Sequence, residues 1–235
     1  EAAFLTDDEQ LEVVRITRAA LGADKLLMVG ASKQSAYAAV SFLRDAASYG
    51  ADCFSVLTPS FFASAMDDDA LIRFYTDIAD ASPAPIFIYN CPKYAASVAA
   101  SPEAVRVLSR HANIAGIKES SSRAIEYADL QSEDFSVISG SVNSVLSLLK
   151  KGSRGGVLSM SNYLPDETAA LVELWDAGKT EEAEALSAEL IRLNRLVSGR
   201  CGVAGIKAAC DLMGYRGGSV RSPLRDCTTA ERELI

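Results

Sequence analysis

Short apolar runs alternate along the chain with longer stretches in which apolar residues recur every three or four positions. Six runs stand out: Leu26 to Gly30 (LLMVG), Cys53 to Leu57 (CFSVL), Pro85 to Asn90 (PIFIYN), Ile114 to Lys118 (IAGIK), Phe135 to Gly140 (FSVISG) and Gly155 to Ser159 (GGVLS). This alternation predicts βα units arranged around a parallel sheet. The runs lack clean in-out alternation, as strands covered on both faces do. Helix starts are legible between them: in "SPEAVRVLSRH" Ser101 caps, Pro102 fits the first turn and Glu103 meets the positive end of the dipole. The opening segment "TDDEQLEVVRITRAAL" is itself a helix, with Thr6 as its cap and acidic residues in its first turn.

The chain therefore starts just before a helix, with no initiating Met and no strand ahead of it, and residues are expected to precede it. Six βα units suit either an open doubly wound sheet or a (β/α)8 TIM barrel whose first two strands are absent from this chain. A start inside a βα loop favours the barrel. After Asp176 the strands stop, and "TEEAEALSAELIRLNRLV" followed by "GIKAACDLMG" predicts two or more helices, with Leu186, Leu190, Leu193 and Leu196 at helical spacing. The expected organisation is an N-terminally incomplete α/β barrel over residues 1–177 and a C-terminal helical region over 178–235. No Ser-rich or Gly-rich linker separates them, so the helices are expected to dock tightly.

At 235 residues the chain is one large domain or one domain with an appendage, at roughly 150 residues per domain. Apolar residues at 49 % and charged residues at 23 % exclude a disordered or collagen-like chain. Twenty-three Lys and Arg against 31 Asp and Glu leave a net charge of −8, which repels nucleic acid and anionic membranes and points to small-molecule or protein partners. Five scattered cysteines (Cys53, Cys91, Cys201, Cys210, Cys227) with no CxxC pair argue against a disulfide framework or zinc site and suit a reducing, cytoplasmic setting. The single histidine, His111, sits at a helix end, so a His-based metal site or a Ser-His-Asp triad is not easily assembled. No apolar run reaches the roughly 20 residues that span a bilayer, and no signal segment opens the chain.

In a barrel of this kind the active site lies at the carboxyl ends of the strands. Two strand ends are unusual: Ile114-Ala115-Gly116-Ile117 ends in Lys118, and Ile86-Phe87-Ile88 ends in Tyr89. Burial lowers a lysine's pKa toward neutrality and yields an amine that attacks a ketone to form a Schiff base. The protonated imine is an electron sink, so carbon-carbon cleavage beside a carbonyl needs no metal. A tyrosine at the neighbouring strand end supplies the proton shuttle. The bland readings stand beside these: a strand-end lysine is most often a solvated ion-pair partner, and Tyr89 alone reads as a core residue with a satisfied hydroxyl. Lys207, a competing amine, lies in a helical pattern and reads as structural. Cys91 has no histidine to activate it as a nucleophile.

Taken together, "VGAS" (29–32), "GADCFSVLTPSFF" (50–62), "PIFIYNCP" (85–92), "HANIAGIKES" (111–120), "VISGS" (137–141), "GGVLSMSNYLP" (155–165) and "GIKAACDLMGYRGGSVRSPL" (205–224) occur in one order and cover almost the whole chain. The chain resembles the dihydrodipicolinate synthase and N-acetylneuraminate lyase superfamily of pyruvate-dependent class I aldolases, with a C-terminal stretch most similar to the 4-hydroxy-2-oxoglutarate aldolase branch. The resemblance implies that Lys118 is the Schiff-base lysine, that Tyr89 transfers protons, and that Gly140 and Leu158 border the pyruvyl site. Of the family's carboxylate-binding G-[ST]-[TN]-G-E motif only the last residue is present, as Glu1. Two departures bear on substrate. Dihydrodipicolinate synthases carry an arginine where Tyr94 stands, and the family's relay tyrosine in "TPxYY" is Phe61 here, which has no proton to transfer.

The function so implied is a class I aldolase or lyase that makes or breaks a carbon-carbon bond in a 2-oxo acid. Pyruvate and an aldehyde are its small-molecule partners, and 4-hydroxy-2-oxoglutarate is a candidate substrate. Dihydrodipicolinate synthase is the alternative enzyme, and a non-catalytic 2-oxo acid sensor the alternative from another class. No cofactor or metal is expected, nor nucleic acid or membrane as partner, and a homotetramer or homodimer is implied.

Overall fold

The computed structural model describes residues 1–22 and 24–235. By internal contacts the chain divides into two compact units, one of Ala2–Ile138 and the other of Ser139–Ile235 together with Glu1. The boundary expected at residue 177 lies inside the second of these.

In the first unit, strands β1 (Met28–Ala31), β2 (Cys53–Leu57), β3 (Ile86–Asn90) and β4 (Ile114–Glu119) pair in sequence order, and β5 (Ser136–Ser139) continues the sheet. The pairings of β1 with β2, β2 with β3 and β3 with β4 are parallel. A doubly wound sheet reverses its strand order at a switch point, whereas this order runs straight through, as successive units of a barrel do. Helices α1 (Asp7–Ala20), α2 (Ala36–Ser48), α3 (Asp68–Ala81) and α4 (Pro102–Leu108) fill the connections. Each begins at a side-chain cap. Thr6 and Glu9 form a capping box, and Ser35, Asp67 and Ser101 each accept a hydrogen bond from an N–H in the first turn. The core between sheet and helices is built from Phe54, Val56, Leu71, Tyr75, Ile78, Ile86, Ile88, Ile114 and Ile117, all fully buried.

The strands differ in how they are covered. β2 has three consecutive buried residues, Phe54, Ser55 and Val56, as expected for coverage on both faces. β3 alternates instead, with Ile86, Ile88 and Asn90 buried while Phe87 and Tyr89 are half-buried. The half-buried face is the one that carries Tyr89.

In the second unit the predicted sixth strand, Gly155–Ser159, shrinks to an isolated parallel bridge between Ser139 and Gly156. Two hydrogen bonds hold it, Ser139 N to Gly155 O (3.1 Å) and Val157 N to Ser139 O (2.8 Å). The backbones approach so closely that a Cβ on Gly156 would sit 2.6 Å from the Ser139 carbonyl oxygen, so only glycine fits. From Ser159 the chain turns into a short 3-10 helix, ending the pairing. Helices α5 (Val142–Leu149), α6 (Pro165–Asp176), α7 (Thr180–Leu196), α8 (Ser198–Leu212) and α9 (Thr229–Arg232) make up the rest. Their core joins Val145, Leu149, Met160, Tyr163, Leu171, Ala183, Leu190 and Val197. On α7 the buried stripe is Ala183, Ser187 and Leu190, with Leu186 and Leu193 partly buried beside it. Leu186, Leu190 and Leu193 of the predicted leucine spacing thus pack inward together with two small residues, Ala183 and Ser187. Among the described residues, no helix is long and apolar enough to cross a membrane.

Candidate active site

Tyr89 and Lys118 are brought side by side by strand register: Tyr89 on β3 is the pairing partner of Lys118 on β4. Both are half-buried and project from the same face, while their successors Asn90 and Glu119 point to the other and are buried. The Lys118 Nζ stands 4.0 Å from the centroid of the Tyr89 ring. Burial lowers the lysine below its ordinary pKa, with the nearby Cys91 thiol acting weakly the other way. No carboxylate is paired with this amine among the described residues. The ring face favours the ammonium, but desolvation outweighs it. Burial pushes the Tyr89 phenol well above its ordinary value, and Cys91 adds to the rise. Burial thus shifts the pair toward an uncharged amine and a protonated phenol.

A second layer holds the two strand ends together. Asn90 donates from Nδ2 to Glu119 Oε2 at 2.5 Å and to the Tyr127 hydroxyl at 3.2 Å. The Ala100 N–H donates to Asn90 Oδ1, the Tyr127 hydroxyl donates to Ala100 O at 2.7 Å, and the Ser121 N–H donates to Glu119 Oε1. Every buried polar group of Asn90 and Glu119 therefore has a partner, which is what a buried carboxylate requires. Sequence reasoning passed over this network. Its signal was present in the alternation of β3 and β4, which sends the residue after each candidate to the opposite face.

Below Tyr89 and Lys118 the sheet is closed by Phe87 lying across Gly116, its register partner. A Cβ on Gly116 would come within 2.6 Å of the Phe87 ring and 2.2 Å of the Ser136 carbonyl oxygen. Glycine here lets the phenylalanine form a floor. The Ser120 Oγ, two residues beyond Lys118, is buried without a hydrogen-bond partner. A buried hydroxyl near the Tyr89 phenol, whose pKa it acts to lower, is a ready donor to a substrate oxygen.

The other candidates fall in different places. Phe61 lies on the loop after β2, 79 % exposed and edge-on to Phe62, with its N–H bonded to the Gln34 side chain. Tyr94, 62 % exposed, lies on the 3-10 turn after β3, where it adds slightly to the rise of the Tyr89 phenol, and the Lys93 ammonium lies 5.6 Å from its ring centroid. Gly140 and Leu158 belong to the second unit and line a small cavity there with Ser141, Met160, Asn194 and Ser198. Lys207, on α8, donates to Ser219 O at 2.6 Å and pairs with the Glu1 carboxylate at 2.7 Å, the setting of a structural ammonium. His111 follows α4 and precedes β4, at the opposite end of that strand from Lys118. It bonds Asp80 through Nε2 and accepts the Asn113 N–H at Nδ1. Among the described residues, one group of three side chains has metal-ligand spacing, Cys201, Cys227 and Glu231, in the second unit.

Known proteins carry the same pattern. Residues 1–235 match the family described as "Dihydrodipicolinate synthetase family". The chain is 31 % identical to "Probable 4-hydroxy-2-oxoglutarate aldolase, mitochondrial" of Emericella nidulans, over 99 % of this chain and 76 % of that one. It is 29 % identical to a 4-hydroxy-tetrahydrodipicolinate synthase of Caldicellulosiruptor saccharolyticus, over 100 % of this chain and 79 % of that one. Among solved structures, the 4-hydroxy-tetrahydrodipicolinate synthase of Methylacidiphilum fumariolicum superposes with a TM-score of 0.91 at 26 % identity, over 99 % of this chain and 78 % of that one.

Proposed function

Since the chain belongs to the dihydrodipicolinate synthetase family, whose named members are synthases and aldolases, we propose that it is a class I aldolase working through a Schiff base on Lys118, with pyruvate as product or donor. The observation that carries this reading is the register-matched pair itself: a half-buried, desolvated amine 4.0 Å from the ring of a protonated phenol.

The chemistry balances on these two groups. The uncharged Lys118 amine adds to the C2 carbonyl of a 2-oxo acid and gives a carbinolamine. The Tyr89 phenol gives its proton to the departing hydroxyl, water leaves, and an iminium forms beside the new phenolate. The positive charge of the iminium offsets the burial that otherwise holds the phenol protonated. In a 4-hydroxy-2-oxo acid the phenolate then takes the C4 hydroxyl proton, the C3–C4 bond breaks, its electron pair moves into the iminium, and an aldehyde leaves. Protonation of the resulting enamine at C3 and hydrolysis release pyruvate and restore both groups. Ser120 Oγ donates to a substrate oxygen, and Asn90 and Glu119 hold the two strand ends at one spacing.

Tyr94, with Lys93 beside it, stands where the resemblance places an arginine in dihydrodipicolinate synthases, which counts against that activity and leaves 4-hydroxy-2-oxoglutarate as the candidate substrate. The sensor reading shares the imine site but not turnover.

Borohydride reduction in the presence of pyruvate, followed by peptide mass spectrometry, tests the proposal. The expected result is a reduced pyruvyl adduct on Lys118, with pyruvate release from 4-hydroxy-2-oxoglutarate by the untreated protein. An adduct on Lys207 or on no lysine would overturn it, and an adduct without turnover of any 2-oxo acid would favour the sensor.

A further inference from the structure

Outside the site just described, the second unit holds a thiol pair with no part in the aldol chemistry. Cys201 lies on α8 directly before Gly202, whose φ of 56° and ψ of −135° break the helix into two pieces. Cys227 directly precedes Thr228, the N-cap of α9. The two sulfurs lie within 4.8 Å of each other and of a Glu231 carboxylate oxygen. Both cysteines are free thiols, half-buried rather than sealed in the core.

Two chemistries suit such a cluster, a soft metal ion or a disulfide, and the surroundings of Glu231 decide between them. Its two oxygens already accept hydrogen bonds from Arg225 Nη1 and Nη2 at 2.9 and 3.0 Å, and Oε2 also accepts from the Thr228 N–H and hydroxyl. These contacts hold its carboxyl down at about 2, chiefly through Arg225. A carboxylate so occupied is a poor third ligand, and a guanidinium beside the sulfurs repels a divalent cation. What remains uncommitted is the pair of sulfurs.

We propose that Cys201 and Cys227 are a modification site, closing to a reversible intramolecular disulfide by exchange with a small-molecule disulfide. One thiolate attacks a sulfur of the small disulfide, forming a mixed disulfide and expelling one small thiol. The second protein thiolate attacks the bound protein sulfur and expels the other. Two protein thiols are oxidised by two electrons in all, the small disulfide is reduced to two thiols, and the protons lost by the cysteines end on those thiols. Burial and the hydrogen bond to Cys201 push the Cys227 thiol up to about 11, so closure quickens as pH rises above neutrality. The charged neighbours are Glu231, which holds the proton on, Arg232, which draws it off, and Arg225, whose guanidinium stands beside both sulfurs.

The bond would close a loop over residues 202–226, and this loop carries contacts that hold Glu1. Its Arg221 N–H donates to Glu1 Oε1 at 2.7 Å, and its Ser219 carbonyl accepts from the same Lys207 ammonium that pairs with Glu1. The disulfide would staple the grip on Glu1 to α8. This inference does not depend on the reaction assigned to Lys118.

The test treats the whole protein with excess oxidised glutathione, blocks remaining thiols, and maps peptides without reduction. The expected result is one cross-linked peptide pair joining Cys201 to Cys227, short of two hydrogens, with Cys53, Cys91 and Cys210 alkylated. Dithiothreitol should reverse it, Cys201→Ser should abolish it, and the oxidised form should melt a few degrees higher than the reduced one. Separate glutathione adducts on the two cysteines would overturn the proposal, as would pairing with another cysteine or an unchanged melting temperature. Protection of both thiols by one equivalent of zinc, with oxidation blocked, would overturn it too and make the cluster a metal site.

Discussion

Burial penalises the Lys118 ammonium, a cost that the fold itself bears. Its pKa lies below the ordinary value because burial penalises the ammonium, so between the folded and the unfolded pKa the unfolded chain binds more protons at this position than the folded one. The penalty is fully present below the folded pKa and is relieved as pH rises through the unfolded value near 10.4. Lys118→Met should therefore raise the melting temperature at pH 7, by an amount that shrinks toward pH 10, while abolishing borohydride trapping of pyruvate. Calorimetry of both proteins across that range checks the sign. Tyr89→Phe should slow both dehydration to the iminium and C3–C4 cleavage, with borohydride trapping of pyruvate on Lys118 slowed and turnover lowered by about 10²- to 10⁴-fold. Glu119→Ala strips the buried Asn90 amide of its shortest acceptor and should cost about 1–3 kcal/mol by denaturant unfolding. Lys118 and Tyr89 were legible in the sequence because each ends a short apolar run. Tyr127 and Ala100 were not, because they meet Asn90 from well along the chain and no local pattern marks the meeting.

At the level of elements, β2 was read with its observed bounds and β1, β3, β4 and β5 within two residues, since Val, Ile and Phe crowd into runs bounded by Gly, Pro and Asn. The run at 155–159 misled because composition resembles a strand whether or not backbone geometry allows one. At Gly155 the φ of 142° leaves the extended region, and the pairing ends after Val157. Between β3 and α4, Ala96 and Ser97 occupy left-handed conformations at φ of 47° and 68° without being glycine. Nothing in the residues themselves announces this, since both are ordinary in any backbone. Ala96→Gly should relax the strain, offset in part by added freedom in the unfolded chain, and stabilise the protein by up to about 1 kcal/mol. In β4 the opposite change should hurt. Gly116→Ala drives a methyl into the Ser136 carbonyl and the Phe87 ring, with an expected loss of about 1–3 kcal/mol or more and a lowered affinity for pyruvate as the floor shifts.

Across the whole molecule, the net charge of −8 read from composition is a property no element displays, and it agrees with a small anionic substrate only if the site supplies its own donors locally. Association is the other property of this scale. The homotetramer or homodimer implied by the resemblance has a natural candidate contact in the exposed pair Phe61 and Phe62. Phe61→Glu should shift the sedimentation profile toward smaller species while leaving Lys118 reactive to pyruvate and borohydride. The straight strand order has a consequence for synthesis. Pairings β1–β2, β2–β3 and β3–β4 each close a span of 25 to 32 residues, so each of these strands pairs with one made shortly before it. At roughly 5–20 residues per second on the ribosome, each βα unit emerges within seconds of the last and finds its neighbour already waiting. The sheet that carries Tyr89 and Lys118 is one that a growing chain can lay down in the order it is read.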